Sequence, residues 1–243
     1  MCFRRFMAVF DNHGDQMDRN AVEKMFEFKE QHWKPHIVVH GGDNFDFRAI
    51  RKKATEEERR DSMIGDFDAG MNFLKRLRPT YFLRGNHDER LWDLAQEDRG
   101  VISDFAFKGC REISDELEKM KCHMLPYDKR KGVLRLGHLK IIHGYLCGVT
   151  AARRTAQIYG SVCMGHGHAI QQASIEGLEQ RTGIMAGCLC RLDMSYVRAS
   201  TGSLAWEHGF LYGLLNEKTG HYVVYQARKI DGKWILPTDY VTL

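Results

Sequence analysis

Nine polar residues of this chain sit just past the ends of short apolar runs, and their types are those that hold metal ions and move protons. They are Asp11, His13, Asp43, Asn86, His87, Asp88, His143, His166 and His168. The densest group is Arg84-Gly85-Asn86-His87-Asp88, which follows Tyr81-Phe82-Leu83. An amide, an imidazole and a carboxylate in succession offer a metal ligand, a proton donor and a group to orient that donor. Gly85 lets the backbone come close to whatever is bound. Five of the twelve histidines fall at these positions. One histidine after a strand is ordinarily a solvated surface residue. Five, with three aspartates and an asparagine in the same setting, point to one shared site.

Carboxylate, imidazole and amide donors without a thiolate suit Mn, Fe, Zn or Ni. Seven ligand candidates exceed the needs of one ion and suit two ions sharing a carboxylate. Two cations about 3.5–4 Å apart can grip the attacking and leaving oxygens of an in-line displacement at phosphorus, and they bring the pKa of a bound water toward ~7.

The elements that must position these residues alternate. Residues 5–10 and Ile37-Val38-Val39 read as buried strands that stop in Asp11-Asn12-His13-Gly14 and in His40-Gly41-Gly42-Asp43-Asn44-Phe45-Asp46. Between them, Asn20-x-x-Glu23 predicts a capped helix carrying Ala21, Met25, Phe28 and His32, closed by Pro35. Thr55-x-x-Glu58 predicts the cap of a second helix, with an apolar stripe of Met63, Ile64, Phe67, Met71, Leu74 and Leu77 that ends before Pro79. Strand ends in open α/β sheets are where ligands bind. The span 89–121 reads as a small helical cap beside the site or as an ordinary helical crossover. Gly137-His138 predicts a tight hairpin whose second strand stops in His143-Gly144. A helix over 150–159 leads to Val162-Cys163-Met164, which stops in Gly165-His166-Gly167-His168. Beyond this the runs 182–186, 209–215, 221–228 and 233–236 read as strands. Without repeats or a linker, residues 1–243 read as a single domain whose two halves each supply a sheet.

Bulk properties bound the function without naming it. A formal charge of +4 fits an anionic substrate, and 43% apolar with 28% charged residues is an ordinary globular balance. No apolar run approaches the ~18 residues that span a bilayer. Residues 1–6 lack the apolar core of a signal peptide, so the expectation is a cytoplasmic protein with no membrane partner. Seven scattered cysteines without a C-x-x-C pair predict reduced thiols. Cys188 and Cys190 read as small buried hydrophobes.

Taken together the motifs resemble those of the calcineurin-like metallophosphoesterases: D-x-H, G-D-x-x-D, G-N-H-D/E, a His-Gly and G-H-x-H. Here they stand in that order as Asp11-Asn12-His13, Gly42-Asp43-Asn44-Phe45-Asp46, Gly85-Asn86-His87-Asp88, His143-Gly144 and Gly165-His166-Gly167-His168. The resemblance implies an α/β fold, a four-layer α/β/β/α sandwich of two mixed sheets flanked by helices, with residues 169–243 completing the second sheet. It implies two divalent transition-metal ions, manganese first, with iron, zinc or nickel as alternatives. Asp11, His13 and His168 would hold the first ion, Asn86, His143 and His166 the second, and Asp43 would bridge them. His87 would meet the phosphate and protonate the leaving oxygen, with Asp88 orienting its ring. Asp46 would support the ligands. The expected reaction is hydrolysis of a phosphoester by in-line attack of a hydroxide bridging the two ions.

Two departures bear on the substrate. Phe47 stands where the protein Ser/Thr phosphatase branch has an arginine, with Arg48 after it. The doubled histidine of His166 and His168 is similar to the phosphodiesterase and nuclease branches. The expected substrates are therefore phosphodiesters of nucleotides or nucleic acid. The alternatives are a phosphomonoesterase or protein Ser/Thr phosphatase, and a non-catalytic scaffold on the same fold. Arg48 and Arg84, with Arg51, Lys52 and Lys53 near the former, are candidates to contact substrate phosphate.

Overall fold

The computed structural model describes residues 3–194 and 201–236. In chain order the first elements are β1 (Phe3–Val9), α1 (Arg19–Glu27), β2 (Ile37–His40), α2 (Glu56–Arg59), α3 (Met63–Leu77), β3 (Tyr81–Leu83), α4 (Asn86–Gln96), α5 (Val101–Lys119) and β4 (His123–Leu125). They are followed by β5 (Leu134–Leu136), β6 (Leu139–Ile142), α6 (Ala151–Tyr159), β7 (Val162–Met164), β8 (Ile170–Ile175), β9 (Arg181–Ala186), β10 (Gly209–Asn216), β11 (Tyr222–Ile230) and β12 (Lys233–Ile235).

Two mixed sheets stack with helices on their outer faces, the expected α/β/β/α layering. One has the order β12-β11-β10-β1-β2-β3-β4 and the other β5-β6-β7-β9-β8. The period-2 alternation of β1 serves two cores. Phe6 and Ala8 enter the layer between the sheets, with Ile141, Cys163, Ile184 and Leu211. Met7 and Val9 point the other way, onto Ala21, Val22, Met25 and Phe26 of α1. On the second sheet, Ala152 and Ala156 of α6 cover Ile142, Val162 and Met164.

The two halves of the chain do not each supply a sheet. β8 and β9 complete the second sheet, but β10, β11 and β12 cross back and extend the first, with β10 antiparallel to β1. The reason lies in β10 itself. Leu211 and Leu215 fill the layer between the sheets while Phe210 and Tyr212 fill the helix side, so this strand needs cover on both faces. The seat beside β1 provides it.

Three local expectations are also corrected. The N-cap of α1 is Asp18, whose carboxylate accepts from the Ala21 N–H, not Asn20. The capping box of Thr55 and Glu58 forms, yet it caps only the single turn of α2. Ser62 then offers a fresh cap to the Gly65 N–H and starts α3. Along α3, Met71, Leu74 and Leu77 are buried, but Ile64 is 75% exposed. The span 89–121 lies in α4 and α5, which join β3 to its parallel neighbour β4. Their apolar faces pack Leu91, Ala106, Ile113 and Leu117 against Phe82 and Leu74. The six described cysteines are free thiols, and among the described residues no helix is long and apolar enough to cross a membrane.

Candidate metal centre

The residues singled out at strand ends converge. Asp11 and His13 follow β1, Asp43 follows β2, Asn86 and His87 open α4 after β3, His143 follows β6, and His166 and His168 follow β7. Their loops are stitched together by backbone bonds: the Asp11 N–H to the Gly42 carbonyl (3.0 Å), His13 to Asp43 (3.0 Å) and Gly165 to His143 (2.8 Å). Of the ten non-glycine residues with positive φ among the described residues, five are ligand candidates: Asp11 (55°), His13 (52°), Asp43 (54°), His166 (66°) and His168 (56°). Left-handed backbone costs an L-residue about 1–2 kcal/mol. Its concentration here marks a site where placing side chains outweighs local comfort. Gly85 allows a close approach: a Cβ there would lie 2.1 Å from Oδ1 of Asp43. At Gly42 (φ 106°) a Cβ would meet Nδ1 of His143 at 2.6 Å.

Two groups of donor atoms form around Asp43. In the first, Nε2 of His13 and Nε2 of His168 face each other at 3.1 Å, and Oδ1 of Asp11 is 3.8 Å from the latter. In the second, Oδ1 of Asn86 lies 3.0 Å from Nε2 of His143 and 2.7 Å from Nδ1 of His166. Asp43 faces both. Its Oδ1 accepts from the His87 N–H (2.7 Å), leaving Oδ2 3.3 Å from Nε2 of His143, 3.9 Å from His13 and 4.0 Å from His87.

This donor set fits divalent cations. Oδ1 of Asp11 is fully buried and has no hydrogen-bond partner among the described residues, an arrangement that costs free energy unless a cation satisfies it. His13 presents Nε2 because its Nδ1 donates to Oδ1 of Asp46 (3.0 Å), and His143 presents Nε2 because its Nδ1 donates to the Gly41 carbonyl (3.0 Å). Such outer partners are the usual companions of metal-binding imidazoles. Burial holds His168 well below and His166 at about 4, so both rings are neutral donors. Burial lifts Asp11 to about 7. Burial pushes Asp43 upward too, but His143, His87 and His13 overcome it and hold this carboxyl well below its usual range. Burial opposes a charge on His143, and Asp43 and Asp11 nevertheless raise it to about 9.

The group that holds His87 is not Asp88. Oδ1 of Asp46 lies 2.7 Å from Nδ1 of His87, and the Asp46 carbonyl lies 3.0 Å from the same nitrogen. Asp88 is fully buried, and its two oxygens accept from the N–H groups of Asp43 (2.8 Å), Gly85 (2.8 Å) and Phe45 (2.9 Å). It clamps the loop after β2 to the start of α4. Arg48 is likewise engaged elsewhere. It is 9% exposed, and its guanidinium binds Asp15 (2.6 and 2.8 Å) and Asp61 (2.5 Å). Arg84 pairs with Glu89 (3.1 Å) and stacks 4.6 Å over the Trp92 ring.

Four further neighbours were not among the site residues expected from the sequence. Cys190 places Sγ 3.7 Å from Nδ1 of His168, and burial holds its thiol well above the usual range, so it stays protonated. The Trp206 ring packs edge-on against His168, with centroids 4.1 Å apart. Asp66 accepts from the N–H groups of Asp46 and Phe47 (3.1 and 2.7 Å). Arg90 donates to the Asp46 carbonyl (2.7 Å). Only Arg90 left a trace, three residues after His87 on one face of a helix. His40 is a structural link: burial keeps it neutral, its Nδ1 accepts from the Gly42 N–H and its Nε2 donates to Asn12 (2.7 Å).

The sequence model described as calcineurin-like phosphoesterase matches residues 4–170. No curated protein matches the chain. Among solved structures, the chain is similar to a Vps29 double mutant from Entamoeba histolytica at 11% identity, covering 95% of this chain and 96% of that one, with a TM-score of 0.45. It is also similar to an archaeal phosphodiesterase at 14% identity, covering 91% and 99%, with a TM-score of 0.41.

Proposed function

The chain belongs to the calcineurin-like phosphoesterase family, and from that premise we propose that it hydrolyses phosphodiesters of nucleotides or nucleic acid with two divalent ions, manganese first. One observation carries the reading. The orphaned Oδ1 of Asp11 and the Oδ2 of Asp43, set among three imidazoles, put two buried carboxylate oxygens where cations are needed. Asp11, His13 and His168 would hold one ion, Asn86, His143 and His166 the other, and Asp43 both. When bound, such ions supply Lewis-acid stabilisation at phosphorus and an ionised water near neutral pH.

The chain's own residues do the rest. Asp46, kept ionised against burial by the hydrogen bonds of His13 and His87, accepts the Nδ1–H of His87 and fixes the ring. Nε2 of His87 is then the nitrogen left to meet substrate, and the doubly protonated ring gives its Nε2 proton to the leaving oxygen and is left neutral, with Nδ1–H still on Asp46. Asp88 keeps Gly85, Asp43 and Phe45 in register, so that the ligand loops and the start of α4 move as one piece. A diester carries one negative charge fewer than a monoester dianion and needs less fixed positive charge. That favours diesters, because Arg48 and Arg84 are both engaged by carboxylates. A Mn²⁺-supplemented panel of bis-p-nitrophenyl phosphate, p-nitrophenyl phosphate, DNA, RNA and a phosphopeptide tests the reading. Diester turnover should exceed monoester turnover, and the reverse order would overturn the substrate class.

A further inference from the structure

A basic depression starts at His87 and runs away from the ligand cluster. Its inner part is a cavity of about 170 Å³ walled by Asp46, Arg48, Arg51, His87 and Arg90. Its outer part is a groove of about 710 Å³, a common size for a ligand site. The two share Arg51 and Arg90 on their walls. The Asp46 carbonyl accepts from both His87 (3.0 Å) and Arg90 (2.7 Å), which fixes the Arg90 guanidinium beside the imidazole. Arg51 is held by the buried Glu58 at 2.6 Å. Beyond them the groove is lined by the exposed Lys52, Lys53 and Arg59 and by Arg99, against two carboxylates, Asp93 and Glu97. Arg99 pairs with Glu97 (3.4 Å), while among the described residues Lys52 and Lys53 have no ion-pair partner. Six cations along one groove attract an anion longer than a single phosphate.

We propose that this groove binds the leaving side of the substrate, and that the leaving group itself carries phosphate. The inference rests on the phosphoesterase reading, because His87 marks the side from which the leaving oxygen departs. A group bonded to an oxygen that His87 protonates extends into the cavity His87 walls. There Arg90 and Arg51 meet it first, and Lys52 and Lys53 meet its further phosphates. A continuing nucleic-acid strand and a nucleoside polyphosphate both have this chemistry.

The test uses the full chain and the Lys52→Glu/Lys53→Glu variant, with Arg59→Glu as a second variant on the same wall. Anisotropy of fluorescein-labelled dodecathymidylate in EDTA reads the groove without metals, and inorganic tripolyphosphate is the competitor. Both variants should keep the wild-type melting temperature, since all three side chains are exposed. The double variant should bind the oligonucleotide at least tenfold more weakly and lose about 1.4 from the slope of log K against log salt, ~0.7 for each of two phosphate contacts. In the Mn²⁺-loaded protein, the kcat/KM ratio of oligonucleotide to bis-p-nitrophenyl phosphate should fall by a similar factor. Tripolyphosphate binding that Lys52→Glu/Lys53→Glu abolishes, without oligonucleotide binding, would support the same groove with a small polyphosphate as its ligand. Unchanged binding of both probes by the variants would overturn the proposal. A wild type that binds in the groove but turns over no phosphoester would retire the phosphoesterase reading and, with it, the leaving-group assignment.

Discussion

Oδ1 of Asp46 lies 2.7 Å from Nδ1 of His87, and the same oxygen lies 3.0 Å from Nδ1 of His13. One carboxylate therefore orients the proposed proton donor and a proposed ligand of the first ion. Both rings turn their Nε2 atoms toward Oδ2 of Asp43, at 4.0 and 3.9 Å. Under the proposed roles, this single side chain would couple metal binding to proton delivery.

Asp46→Ala should accordingly harm both functions. Loss of a carboxylate behind a ligating imidazole typically costs 10–100-fold in metal affinity or activity. Asp88→Ala should behave differently, because it leaves three buried N–H groups unpaired, each costing roughly 1–3 kcal/mol. Its first symptom should be a lower melting temperature. Urea melts beside metal analysis separate the two variants. Equal stability loss in both, with equal metal content, would contradict the division of roles.

His87→Gln should keep the fold and the metals and lose roughly 10²–10⁴-fold in kcat, the worth of general-acid help. The loss should shrink for good leaving groups such as p-nitrophenolate, which need no proton. A series of aryl diesters of rising leaving-group pKa measures this. Metal loss in the variant would make His87 a ligand and remove its role as the acid.

The convergence of the candidate ligands was readable because they lie within a few residues of strand ends. What sequence adjacency misassigned was the partner of His87. Asp88 is next in the chain, but α4 already begins at Asn86, and successive helical residues are turned by about 100°. Its carboxylate folds back to the Gly85 N–H as the N-terminal cap, facing away from the ring. Asp46 reaches His87 only through the fold, across 41 positions. Arg48 shows the same limit: its charge was visible, but Asp15 and Asp61, which consume it, lie 33 and 13 residues away. Cys190 and Trp206 reach His168 from a stretch with no motif at all. The return of β10 to the first sheet was missed: Phe210-Leu211-Tyr212 is apolar on both faces of the strand, but a strand's pattern does not say which sheet covers it.

Metal loading should compete with protons. Asp11, lifted to about 7 by burial, must lose its proton to bind a cation, and so must His143, raised to about 9 chiefly by Asp43 against the effect of burial. Both must be deprotonated to serve, so affinity rises with pH. Below pH 7 both protons are displaced on binding, and between 7 and 9 mainly that of His143. Mn²⁺ affinity should climb about tenfold per pH unit for each proton released. Calorimetry at pH 6, 7 and 8 in buffers of different ionisation enthalpy counts those protons. A pH-independent affinity would contradict these assignments.

The central claim is that two ions held around Asp43 make this chain a phosphodiesterase. Its most direct test is bis-p-nitrophenyl phosphate hydrolysis by metal-stripped protein as Mn²⁺ is added back. The account predicts no turnover in EDTA and a rise that levels off at about two equivalents per chain, with the Asp43→Asn variant flat throughout. Turnover that is independent of metal, or absent at every metal level in a folded sample, would contradict it.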